Sequence, residues 1–148
     1  MAKESKGLID TMEEFFKKAP AIPANGRETL VKFTPWIALI FGILGILGGV
    51  AGLGLLTVFA PFAVLSGASG VNSYGGGFIA AAVLIVGSVL LLLAYPGTKA
   101  RKFSGWNMLF WSQMVHLVGS LLSGSIVGGI IGALIGFYLL FQIKSYYK

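Results

Sequence analysis

The chain has 148 residues, 56% of them hydrophobic and 11% charged, with a net charge of +6; a soluble domain carries about 25% charged residues. All five acids (Glu4, Asp10, Glu13, Glu14, Glu28) fall in the first 28 residues, and no Asp, Glu, Lys or Arg occurs from Phe33 to Thr98 or from Phe103 to Ile143. This pattern predicts an all-α integral membrane protein, and the absence of cysteine excludes disulfide scaffolds, thiolate metal sites and thiol catalysis.

Residues 1–34 read as a cytoplasmic or interfacial N-terminal segment, and residues 35–148 as a four-span transmembrane domain. Within the first, residues 4–18 predict an amphipathic helix. Leu8, Ile9, Met12, Phe15 and Phe16 share one face, with Lys6, Asp10, Glu13, Glu14 and Lys17 on the others. Pro20 and Pro23 end it. Such a helix lies flat among headgroups or docks onto another part of the same protein. The polar start leaves no place for a cleavable signal peptide.

The first span is expected at about 35–58, with Pro35 in its first turn and Trp36 at the interface. Gly42, Gly45, Gly49 and Gly52 fall within an arc of about 80°, which makes a groove on one face. The uncharged stretch 59–77, rich in Gly and Ser, reads as a loop outside the membrane; a re-entrant turn is the sharper alternative. The second span, about 78–95, has Gly87 and Ser88 as its small or polar interruption and is expected to face lipid over much of its circumference. Pro96 and Gly97 should stop it. A basic loop follows with Lys99, Arg101 and Lys102.

The third and fourth spans are expected at about 106–122 and 125–143. The short turn between them makes them antiparallel neighbours. Gly124, Gly128, Gly132 and Gly136 stand four residues apart, the spacing of close helix contacts in lipid. With four spans, every Lys and Arg falls on one side. The positive-inside rule then puts both termini in the cytoplasm of a cell-membrane protein. So strong a bias also excludes dual topology.

The third span alone carries a polar stripe: Gln113, His116, Ser120 and Ser123 project within about 80°. Two uses are open, hydrogen bonds between helices and a polar lining of a cavity. His116 is the sole histidine, so no metal set is available. No intramembrane acid exists to orient it for catalysis or to couple transport to protons or sodium. The glycines at Gly75, Gly76 and Gly77 lack the Lys-Ser/Thr of a phosphate loop. The bases flank spans instead of forming a patch with exposed aromatics, which excludes nucleic acid.

The expected function is that of a non-enzymatic membrane protein without a cofactor, packed through glycine-rich helix faces. It would act as a structural or assembly subunit in a homo-oligomer or a larger membrane complex. The alternative is a small oligomeric channel with the third span as its lining.

Overall fold

The computed structural model describes residues 2–148, with side chains from residue 7 onward. The described residues form α1 (Ala2–Lys17), α2 (Ala24–Leu65), α3 (Gly67–Lys99), α4 (Phe103–Leu122), α5 (Ile126–Ile143) and a closing 3-10 turn (Lys144–Tyr146), with no strand among them. Three of these are long and apolar enough to cross a membrane: α2, α3, and α5 together with its 3-10 turn. Large apolar side chains such as Ile40, Leu44, Leu47, Ile131 and Ile135 stay exposed along them, as a lipid-facing surface requires. The fourth helix, α4, carries Asn107, Ser112, Gln113, His116 and Ser120, which lowers its apolarity below that of the others.

Two expected breaks are absent. Residues 59–77 are helical except at Ser66, so neither a loop nor a re-entrant turn forms there. The chain reverses at a single point, where Gly67 adopts φ +74°, a left-handed conformation that glycine tolerates without strain. Ser66 closes α2 by donating its backbone N–H and its hydroxyl to Phe62 O at 3.0 and 2.8 Å. Likewise Pro35, Pro61 and Pro96 all lie inside helices. Pro35 is not in a first turn, because α2 already starts at Ala24 and runs through the boundary expected at 34/35. Pro96 does not stop α3, which continues to Lys99. Packed neighbours and local Ser/Thr bonds keep such helices intact; Thr98, just after Pro96, donates to Ala94 O and Tyr95 O at 2.9 Å each.

The helices pack in chain order. α3 is the middle layer, contacting α2 on one side and α4 on the other, and α5 lies on α4. Along α3 the buried positions are Ala81, Gly87, Ser88, Ala94 and Thr98, while Ile79, Val86, Val89 and Leu93 stay exposed. Near one end all four helices meet around Ala38, Ala94, Leu109 and Leu140. At the other end the α2–α3 hairpin runs past the rest. A Cβ on Gly76 would lie 3.7 Å from Ser123 O at the α4–α5 turn. The hairpin tip at Ser66 therefore projects roughly 15 Å beyond that turn, at about 1.5 Å per residue.

α1 rests against α5. Ile9 and Phe16 are buried, while Leu8 and Phe15 are exposed. The Phe16 ring stacks on Phe141 at 5.5 Å. Of the two positions open to this helix, docking on the same chain is the one seen. The connection between α1 and α2 is tied to α5: Tyr138 Oη donates to Pro20 O at 2.6 Å, and Ile22 N donates to Gln142 Oε1 at 3.2 Å. Phe103 N donates to Lys148 O at 2.7 Å, and Lys148 N to Arg101 O at 3.0 Å. These bonds gather the basic segments around Lys17, Arg27, Arg101 and Lys144 at one end of the molecule. Beneath them sits an aromatic core in which Trp106 and Phe110 are fully buried. Trp106 Nε1 donates to Leu140 O at 2.8 Å.

Candidate functional site

The two expected glycine faces behave differently. On α2, Gly42, Gly45 and Gly49 are buried and form the groove that receives α3. A Cβ on Gly42 would meet Leu92 Cδ2 at 2.6 Å, and one on Gly49 would meet Ala81 O at 3.1 Å. On Gly45 it would strike the Ser88 side chain, whereas on Gly52 it would only touch Ala81 at 3.8 Å. The groove is tightest in its middle and loosens toward the hairpin tip.

On α5, the four-residue row does not act as one face. Gly124 precedes the helix and holds the turn at φ +84°. Gly128 and Gly132 are exposed and have nothing within 4 Å of an added Cβ. Of the row, only on Gly136 would an added Cβ run into α4, 2.5 Å from Gln113 Nε2. The face that packs on α4 is offset: Gly129, which would meet Ser120 Cβ at 2.5 Å, then buried Ala133 and Phe137.

The polar stripe divides between two neighbours. Toward α5, Gln113 Nε2 donates to Gly132 O at 3.2 Å, and Ser120 packs on Gly129. Toward α3, the His116 ring covers Gly87, and buried Ser112 Oγ donates to Gly87 O at 2.8 Å. Ser123 Oγ stays local, donating to Ser120 O at 3.2 Å. Gln113, His116 and Ser112 also border a cleft of about 410 Å³ between α2, α4 and α5, whose other walls include Ile37, Phe41 and Leu139. The cleft is apolar with one polar edge.

Sequence reading missed three contacts that place α3 on α4. Gly97 and Gly105 bring the two backbones together, so that a Cβ on Gly97 would lie 2.7 Å from Gly105 Cα. Gly119 receives Val83, and Gly87 receives His116. Each is an isolated glycine, and only pairing across helices reveals its use. Among the described residues no group of three or more His, Cys, Asp or Glu is placed to hold a metal ion.

These helices define a multi-pass, all-helical membrane protein. No protein-family model matches the chain, and no curated protein or solved structure matches it either.

Proposed function

We propose that this chain is a non-enzymatic structural or assembly protein of the cell membrane. It crosses four times, with α4 as the third span, shielded by α3 and α5, and it keeps both termini in the cytoplasm. The bases gathered at one end support that orientation, because Lys and Arg beside spans stay inside. In this reading α1 is an amphipathic helix held at the cytoplasmic end of α5.

The observation that carries the assembly reading is the exposed pair Gly128 and Gly132. The α2 groove is filled by α3, but on these two small residues one turn apart an added Cβ would meet nothing in their own chain. Small residues at that spacing let another helix approach closely. A second copy of this chain or a helix of a larger complex would lie there.

The test is the mass of the complex in gentle detergent and in nanodiscs. Gly128→Leu and Gly132→Leu touch no neighbour within the chain, so the monomer fold should survive while the assembly disperses. Equal masses for wild type and both variants would end this reading.

A channel is the second reading, favoured by the cleft that Gln113 and His116 border. Most of the stripe is already committed to bonds and contacts within the chain, which supports assembly over conduction. Flux through reconstituted protein should be the same for wild type, Gln113→Leu and His116→Leu. A change in flux at constant assembly would reverse the preference.

A further inference from the structure

At the basic end, α1, the connection to α2, the first turn of α2 and the end of α5 enclose a cleft of about 480 Å³, within the usual range for small-ligand sites. Three cations, Lys17, Arg27 and Lys144, line it against one acid, Glu13. That acid is already engaged. Its Oε1 lies 3.1 Å from Lys17 Nζ, and Lys144 Nζ donates to its Oε2. The Lys144 bond, more than any other influence, holds the Glu13 carboxyl below its ordinary range.

Arg27 and Tyr147 line the same cleft; Arg27 Nε is buried with no hydrogen-bond partner among the described residues, and the buried Tyr147 hydroxyl lies beside the Thr34 side chain. Buried donors are almost always matched to an acceptor. An unmatched guanidinium donor, in a cleft with two more positive charges than negative, suits an anionic oxygen ligand. An arginine fork fits phosphate geometry in particular. Phe103 and Phe141 supply apolar walls beside the charges.

We propose that this cleft binds an anionic phosphate group, with Arg27 and Tyr147 donating to its oxygens and Lys17 and Lys144 balancing its charge. The phosphate belongs either to an anionic lipid headgroup or to a soluble phosphate compound. The cleft lies apart from Gly128 and Gly132, so its test is independent of the assembly reading.

The experiment uses the full chain, purified in detergent. Retained lipid is read by native mass spectrometry after exposure to phosphatidylglycerol or phosphatidylcholine, and inorganic phosphate binding is read by phosphorus NMR. Retention of phosphatidylglycerol over phosphatidylcholine supports the lipid source; binding of inorganic phosphate without lipid retention supports the soluble one. In either case Arg27→Gln should weaken binding at least about tenfold, the scale of one charged hydrogen bond. Tyr147→Phe, which removes one hydroxyl and preserves the ring, should weaken it several-fold and decides the matter should Arg27→Gln fail to fold. Absence of binding by both probes overturns the proposal. So does binding that neither variant changes.

Discussion

Gly97→Ala probes a close approach between the α3 and α4 backbones. The new methyl would sit 2.7 Å from both Cα and N of Gly105. These are backbone atoms with no rotamer to relieve the overlap. Restoring ordinary contact near 3.4 Å requires α3 and α4 to part by about 0.7 Å, and overpacking of this kind costs about 1–3 kcal/mol. A rigid separation of that size would also stretch the bond from Ser112 Oγ to Gly87 O, now 2.8 Å, to the edge of hydrogen-bonding range, a loss of about 0.6 kcal/mol in a membrane protein. Against this, Ala gains up to about 1 kcal/mol in helix propensity over Gly. The net expectation is a loss of about 2 kcal/mol. Unfolding in mixed detergent micelles measures it, with the fully buried Trp106 contributing a fluorescence signal. Gly54→Ala is the control, since nothing lies within 4 Å of its added Cβ; it should be neutral or slightly stabilising. The reasoning fails if Gly97→Ala unfolds with wild-type stability, or if Gly54→Ala loses as much.

Gly87→Ala collides with the His116 ring and should cost about 1–3 kcal/mol. Combining it with His116→Ala should recover at least about 1 kcal/mol in a double-mutant cycle, and strict additivity would mean that the two groups do not touch. Glu13→Gln should loosen α1 from α5 by about 1 kcal/mol or less, read as faster amide exchange in α1. A carboxyl whose folded pKa is lowered adds stability above its unfolded value and loses it as pH falls through the folded one. Protection of α1 should therefore be flat above the ordinary carboxyl value of 4.5 and decline below it; a decline starting near neutrality would implicate another group. Because the chain has no cysteine, single substitutions report topology cleanly. Ser145→Cys should label only from the cytoplasm, and Ser69→Cys and Ser125→Cys only from outside. Labelling of all three from one side would refute the four-span reading.

Helix identity was legible in the sequence, because long uncharged runs in a lipid protein leave little choice but helix. The α2 groove was legible too. Gly42, Gly45 and Gly49 share one arc, and periodicity alone puts them on one face. The α5 row does not form the contact with α4, for a geometric reason. Gly124 sits in a turn, where the helical spacing no longer applies, and Gly128 and Gly132 point away from α4 while Gly129 and Ala133 point toward it. Spacing shows which residues share a face, but not which face meets the neighbour. The region around Ser66 misled for a chemical reason. Gly, Ser and Pro break helices in water, where solvent competes for the backbone, and that competition is missing in hydrocarbon. Bonds such as Tyr138 to Pro20, 118 positions apart, had no sequence signal at all.

The overshooting hairpin has a consequence for the surrounding lipid. Each of its arms stays uncharged for roughly 50 Å at about 1.5 Å per residue, whereas the hydrocarbon it meets is about 30 Å thick. Absorbing that excess by leaning alone would take a tilt of more than about 50°, beyond the 0–40° found for membrane helices. The Gly- and Ser-rich tip around Ser66, Ser69, Asn72 and Ser73 would then emerge from the hydrocarbon, unless the bilayer thickens or other protein covers it. The shorter α4–α5 pair, at roughly 27–30 Å, asks for neither. The protein thus presents two helix lengths side by side, a long hairpin and a short one, and a neighbour would meet a different edge on each side.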